Sequence, residues 1–318
     1  MTESKGGIVL KKKILVAVDD SSYSKRAIEY AAQMKEFIPD LSFIIFNVQP
    51  TVSDYLLHDS KKDPKASAAL KEVIAKNEKT SKGLLDSYKS QMIKMGIDKE
   101  SIDVVTQPRA MGAAKDILLY AKNILPDAIV LGRRGTSRLQ EAFVGSVANT
   151  VFEHASVIPI WAIAGKIASS KIMVAIDGSE SSLSAVDHIS FMIGDNPDVE
   201  LTLLHVTPTL RDYCTIDFDK EGDIVDEVIA RGDKQCVDDF YVHAQQRFQA
   251  AGINKKQISI KEVKSTLNIG KTIVDEAKKG KYGIVVVGRK GMNDSFFMGS
   301  VSRYVVNKAS NCAVWLVP

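Results

Sequence analysis

The sequence predicts an α/β protein of two tandem doubly wound domains, each a five-stranded parallel sheet with helices on both faces. Three observations carry this. The chain has 318 residues, more than the roughly 250–300 at which a single core stops growing. It also repeats itself once. Lys13-Ile-Leu-Val-Ala-Val-Asp19 returns as Lys171-Ile-Met-Val-Ala-Ile-Asp177, and Ile129-Val-Leu-Gly-Arg-Arg-Gly135 as Val285-Val-Val-Gly-Arg-Lys-Gly291. Gly145-Ser-Val returns as Gly299-Ser-Val, and Ala155-Ser156 with Trp161 as Ala309-Ser310 with Trp315. The offset drifts around about 155 residues, which is a duplicated domain and far too long for a solenoid period. Finally, short apolar runs alternate with helical patterns in each half, the order that gives a parallel sheet with both faces covered. The short polar link Gly165-Lys-Ile-Ala-Ser-Ser170 divides the chain into domains at 1–165 and 166–318.

In the first half, residues 14–18 form a continuous apolar run, so they predict a strand buried on both faces. Asp20 to Ser22 supply N-cap chemistry, and Ala27, Ala31, Met34 and Ile38 follow at helical spacing. Residues 41–48 predict the second strand. The Lys-rich stretch from about Pro64 to Met95 has apolar residues at 70, 74, 84, 88, 92 and 95, the pattern of a long amphipathic helix with a solvated outer face. Strands follow at 102–106, 128–131 and 157–163, with helices at 113–123 and 146–154. The second half reads the same way, with strands at 172–176, 199–206, 258–263, 283–287 and 312–317. Its helices fall at 181–193, about 222–251, 269–279 and 300–309.

Composition narrows the function classes. Lys+Arg is 42 against Asp+Glu 39, a net charge of +3. That near balance argues against a nucleic-acid binder, which would concentrate base in a stripe. No apolar run exceeds strand length, so the sequence predicts no membrane span. The opening MTESKGG has no apolar core of a secretory signal. Three cysteines, Cys214, Cys236 and Cys312, lack metal or redox spacing and fit a reducing, cytoplasmic setting as packing residues. No paired histidines stand at metal-ligand spacing.

The residues able to carry chemistry cluster at the carboxyl ends of the strands, where doubly wound sheets bind ligands. After the fourth strand comes Gly132-x-x-Gly135, nine residues, then Gly145-Ser146 opening a helix. Glycine lets backbone approach a ligand closely, and exposed N–H groups at a helix start form an anion site. Ser146 and the backbone of Val147 and Ala148 are placed to donate to phosphate oxygens. Asp19, at the end of the first strand, shares that sheet edge and suits ribose hydroxyls. The bland readings are a tight turn for the glycines and helix capping for Asp19 and Asp177. Arg133, Arg134, Arg138, Arg289 and Lys290, beside the loops, face either phosphate or solvent. His154 and His205 read as structural.

This pattern resembles the universal stress protein family, in tandem, over nearly the whole chain. The resemblance rests on the Ile-Leu-Val-Ala-Val-Asp strand, the Gly-x-x-Gly-x9-Gly-Ser loop and Glu153-His154-Ala155-Ser156 before the last strand. It implies a fold like that of the adenine nucleotide alpha hydrolases and a site for ATP or AMP, with Mg²⁺ carried by the nucleotide. By position it implies nucleotide contacts at Asp19, Val48, Gly132, Arg133, Gly135, Gly145, Ser146, Val147 and Ala148. In the second half these become Asp177, Val206, Gly288, Arg289, Gly291, Gly299, Ser300, Val301 and Ser302. The aspartates would meet ribose and the valines adenine. It also implies that the last strand of each half, with Trp161 and Trp315, pairs the halves into an intramolecular pseudo-dimer. The similar surfaces left on both halves are suited to a further homodimer.

Each half departs from the family pattern once. Only seven residues separate Gly291 from Gly299, and Asp20 stands where the family often has glycine, next to a polyphosphate. The first site ranks ahead because its phosphate loop is complete. The function expected is a cytoplasmic, adenine-nucleotide-binding stress or regulatory protein with at most slow hydrolysis. The alternative is a scaffold of the same fold that binds no nucleotide and offers its Lys-rich helices to a protein partner. An adenylyl-transferring enzyme would bring a Ser-Gly-Gly-x-Asp-Ser or His-x-Gly-His motif, and the sequence has neither. It also lacks a Walker A loop and a dinucleotide turn.

Overall fold

The computed structural model describes residues 11–38, 40–133, 144–194, 196–208, 222–265, 268–291 and 298–318. In the first half the strands are β1 (Lys12–Ala17), β2 (Leu41–Val48), β3 (Ile102–Gln107), β4 (Ala128–Gly132) and β5 (Ile160–Ala164). The helices are α1 (Ser22–Gln33), α2 (Asp54–Asp59), α3 (Pro64–Lys94), α4 (Ala113–Ile124) and α5 (Ser146–His154). The second half has β6 (Ile172–Ile176), β7 (Leu201–Thr207), β8 (Ile258–Lys264), β9 (Ile284–Gly288) and β10 (Cys312–Val317). Its helices are α6 (Glu180–Ile193), α7 (Gly222–Ala250), α8 (Ile269–Lys279) and α9 (Ser300–Lys308).

All ten strands join one sheet in the order β3-β2-β1-β4-β5-β10-β9-β6-β7-β8. Within each half every pairing is parallel. The halves meet where β5 and β10 run antiparallel, with Trp161 opposite Trp315. These two residues occupy equivalent places in the repeat, so a pseudo-two-fold axis passes through their pair.

The continuous apolar strands are explained by cover on both faces. Ile14, Val16 and Val18 face one core with α1 and α3, while Leu15 and Ala17 face the other with α4 and α5. The second half divides likewise: Ile172, Val174 and Ile176 join α6 and α7, and Met173 and Ala175 join α8 and α9. Each core takes residues from both halves, so two apolar layers run unbroken across the junction.

The caps are local chemistry. Ser21 begins α1 by accepting from the Ser24 N–H at 3.1 Å. Asp63 caps α3 ahead of Pro64, whose missing N–H costs nothing at a first helical position. β5 starts at Ile160, three residues later than the apolar run suggests: Pro159 cannot donate to a ladder, and Val157 is 76% exposed. Helix α2 has no buried residue and so left no periodicity to read. Cys312 is buried in β10, and burial pushes its thiol up to about 11. Cys236, by contrast, is exposed on α7 rather than packed in a core, and Cys214 lies outside the described residues.

Candidate functional site

In the order 3-2-1-4-5 the chain leaves β1 toward opposite sides of the sheet, so a crevice opens beyond the carboxyl ends of β1 and β4. A cavity of about 200 Å³ sits there. Asp19 stands at the end of β1 and Val48 at the end of β2; Gly132 ends β4, and Gly145 to Ala148 open α5. Ala113 and Ile117 of α4 form an apolar wall, and Ser24 of α1 reaches in beside Asp19. Of the residues expected in the first half, all line this cavity except Arg133 and Gly135. Gly135 lies outside the described residues.

Asp19 is held on one side. Its Oδ1 accepts from the Ser24 hydroxyl at 2.7 Å and the Ser21 N–H at 3.1 Å. The Asp19 N–H donates to Ser24 Oγ at 2.8 Å. Tyr88 of α3 donates its hydroxyl to the Asp19 carbonyl at 2.8 Å, and burial, then the Asp19 and Asp20 charges, push that phenol up to about 12. Neither aspartate is the helix cap: Ser21 and Ser179 are. The aspartate braces the capped turn with one oxygen. The second half repeats this in detail. Asp177 Oδ1 accepts from Ser182 Oγ at 2.7 Å and Ser179 N–H at 3.0 Å. The shared spacing Asp-x-Ser-x-x-Ser, legible in both halves, is the signal that would have found Ser24 and Ser182.

The glycines divide by role. A Cβ at Gly132 would fall 2.7 Å from Tyr23 Cβ and 2.9 Å from its carbonyl carbon, and one at Gly288 2.9 Å from the Ser181 carbonyl carbon. These two let β4 and β9 close onto the first turn of α1 and α6. Gly132→Ala is therefore expected to cost about 1–3 kcal/mol, read as a lower urea midpoint at unchanged m. Gly299 is different: a Cβ there meets nothing nearer than the Arg289 carbonyl oxygen at 3.5 Å. Both Gly145 and Gly299 have φ near −60° and cap their helices without a side chain. The first-turn N–H groups of Ser146, Val147 and Ala148 thus have no partner inside α5.

The second half is not a copy at this end. Gly291 backs onto Asp177, where a Cβ would lie 3.2 Å from Oδ2. Gly178 takes φ +78° against Cys236 Sγ, where the first half has Asp20 in ordinary backbone. Val206 is buried at the end of β7, whereas Val48 is partly exposed. Ser300 and Val301 open α9 as Ser146 and Val147 open α5. Ser302 donates its hydroxyl to the Gly288 carbonyl at 2.6 Å, so that group serves packing. His205 is buried between the Ile176 carbonyl and Asp233, where Asn47 donates to the Val18 carbonyl in the first half.

The arginines depart most from expectation. Arg133 and Arg289 are buried, and their guanidinium groups donate to backbone carbonyls of the other half. Arg133 donates to the Val306 carbonyl at 3.0 Å, the Asn307 carbonyl at 3.2 Å and that of Ala309, all at the end of α9. Arg289 donates to the Glu153 carbonyl at 2.6 Å, at the end of α5. Burial lowers the Arg289 pKa, and Glu153 partly opposes this. Each arginine thus crosses the junction to cap the other half's last helix, where the carbonyl ends favour a cation. Sequence reasoning missed this because no local pattern reports where a long side chain lands. His154 is exposed at the end of α5, its Nδ1 at 2.9 Å from the Thr150 carbonyl. Arg134 and Arg138 lie outside the described residues. Among the described residues no three His, Cys, Asp or Glu side chains are grouped to hold a metal, and no helix is long and apolar enough to cross a membrane.

Known proteins agree with this architecture. The chain is 28% identical over 145 residues to universal stress protein Sll1388 of Synechocystis, covering 45% of this chain and 91% of that one. It is 29% identical over 140 residues to universal stress protein YxiE of Bacillus subtilis, covering 44% and 90%. The crystal structure of a universal stress protein from Archaeoglobus fulgidus superposes with a TM-score of 0.58 at 18% identity, covering 96% of this chain and 98% of that chain. At that identity the likeness is one of fold. The sequence signature of the universal stress protein family matches twice, over residues 11–163 and 169–318, so the chain belongs to the universal stress protein family.

Proposed function

We propose that the protein binds an adenine nucleotide in the first-half cavity and serves a stress-linked regulatory role. One observation supports this above the others: Asp19 and the uncapped start of α5 line the same crevice. Asp19 offers Oδ2 to ribose, since its bonds within the chain fall on Oδ1. Val48, Ala113 and Ile117 give adenine an apolar seat. Ser146, Val147 and Ala148 present N–H groups to phosphate, with the helix dipole adding about 0.3–1 kcal/mol. The volume of about 200 Å³ is below the roughly 300–1,000 Å³ of drug-sized pockets. It suits base and sugar, with the phosphates at the rim beside α5 and their Mg²⁺ outside it.

Among the described residues lining the cavity, Asp19 is the sole carboxylate or base. Ser21 and Ser24 already occupy one of its oxygens, so the reading assigns binding and at most slow hydrolysis. In the second half the same scaffold holds Asp177, but Val206 is buried where Val48 is partly exposed and the loop before Gly299 is two residues shorter, so the first half is assigned the tighter site. Nucleotide released from denatured, purified protein should reach about one equivalent per chain. Gly145→Val, which puts a branched side chain where phosphate would approach, should weaken Mg·ATP binding at least tenfold, about 1.4 kcal/mol, while the apo chain still unfolds in one cooperative transition. No released nucleotide and no thermal shift with millimolar Mg·ATP would end this reading.

One observation favours a scaffold instead. The buried residues of α3 all lie in its second half, from Ser81 to Met92, so its first half and α2 project with Tyr55 86% exposed. If nucleotide fails as above, that projecting pair of helices is where a protein partner would be sought.

A further inference from the structure

The two buried arginines join two things that the fold had no need to join. The backbone of Arg133 closes the phosphate end of the first half: its N–H donates to the Ile163 carbonyl at 3.1 Å, and its carbonyl accepts from the Gly145 N–H at 2.9 Å. Its side chain holds the end of α9. Arg289 is built alike: its N–H donates to the Val317 carbonyl at 2.6 Å, its carbonyl accepts from the Gly299 N–H at 2.9 Å, and its side chain holds the end of α5. The far end of each held helix is the other half's candidate phosphate site. Glu153 adds a second tie, since its carboxylate pairs with Arg303 at 2.7 Å, about one turn beyond the start of α9.

We propose that Arg133 and Arg289 are positioning residues, each carrying the state of its own half's phosphate end to the last helix of the other half. This rests on the nucleotide reading. A phosphate drawn onto the start of α5 loads Gly145, and Gly145 is bonded to the same residue whose guanidinium grips α9. A nine-residue helix is a rigid rod of about 14 Å, so a shift at one end reaches the other. Packed, hydrogen-bonded chains of this kind carry coupling between sites, typically about 5–150-fold in affinity. An arginine that only glued the halves together would work from any position along the junction. Here both come from the residue that follows the strand and accepts from the glycine opening its own half's last helix.

The test is amide exchange of the full chain carrying Gly299→Val, which keeps nucleotide from the second half, with Mg·ATP as the probe. The expected result is exchange slowed about threefold or more in the last turn of α9, near Val305 to Ala309, when only the first half is occupied. Arg133→Lys keeps the charge but loses the forked donors, and it should abolish the slowing while calorimetry still detects binding. Bound nucleotide with no slowing in α9 overturns the proposal, as does slowing that survives Arg133→Lys. If lysine is not tolerated there, Arg133→Gln takes its place. If neither variant folds, the slowing in the Gly299→Val chain decides alone. Absence of any binding is a separate outcome: it removes the nucleotide reading and the relay together.

Discussion

Trp161→Ala is expected to lower the stability of the chain by about 3–5 kcal/mol, the usual loss for a buried aromatic cut back to alanine. Trp161 is wholly buried and stacks on Trp315 with ring centroids 3.9 Å apart and planes within 4°. Offset aromatic pairs add about 0.5–1.5 kcal/mol beyond their buried area. The position makes the loss larger than at an ordinary core site. The pair sits on the pseudo-two-fold, so each indole supports the half it does not belong to. The cavity would open between β5 and β10, where both apolar layers cross from one half to the other. Urea unfolding should show a lower midpoint for both halves together. Trp161→Phe, which keeps a ring in the stack, should lose clearly less. A Trp161→Ala loss under about 1 kcal/mol, or one confined to the first half, would show that the pair does not join the cores.

The polar edges of the two indoles obey the same symmetry. The Trp315 Nε1–H donates to the Tyr30 hydroxyl at 2.8 Å, and the Trp161 Nε1–H donates to His188 Nε2 at 3.1 Å. Tyr30 and His188 hold equivalent places on α1 and α6. Each half thus satisfies the buried donor of the other, as Arg133 and Arg289 satisfy each other's helix ends. The junction uses the duplicated sequence twice, once in each direction.

Much of this was legible in the sequence, and the limits have physical causes. β2, β6, β10, α5 and α8 fall where the apolar pattern puts them because their ends coincide with sharp chemical changes, such as Gly145 before Ser146 or Asn268 before Ile269. The junction was expected only through the resemblance to the universal stress proteins; the repeat of Trp161 at Trp315 by itself is equally that of two independent core tryptophans. The cavity followed from Asp19 and the Gly145-Ser146 start, because strand ends and helix starts are set by local pattern, whereas Val48 was supplied by the family resemblance. What the sequence could not show were contacts that depend on tertiary placement. The crossing of Arg133 to α9 is one, and the closure of Gly291 on Asp177 is another. Tyr88, many residues away on α3, gives no local hint that its hydroxyl will hold the Asp19 carbonyl. Ser24 and Ser182 lie between these cases: their spacing was visible, but their role needed the turn that brings them back to the aspartate.

His188 should make the junction weaken in acid. An indole N–H can only donate, so the bond from Trp161 requires His188 Nε2 to be unprotonated. Burial agrees, lowering the His188 pKa from 6.5 to about 3. In the unfolded chain the same ring takes its proton near pH 6.5. The sign follows: between about pH 6.5 and 3 the unfolded state binds the extra proton, so stability rises with pH there and is flat above it. The slope from this one group is about 1.4 kcal/mol per pH unit, or about 2.7 kcal/mol by pH 4.5. His188→Gln keeps an acceptor for Trp161 and cannot titrate. Unfolding free energies of the two chains, measured in urea from pH 8 to 4.5, should run parallel above pH 6.5. Below it they should diverge, the wild type losing stability faster. Parallel curves down to pH 4.5 would mean that the folded chain protonates His188 as readily as the unfolded one. The indole bond would then have to break in acid without cost, and the close packing that excludes water from the two-fold would not hold.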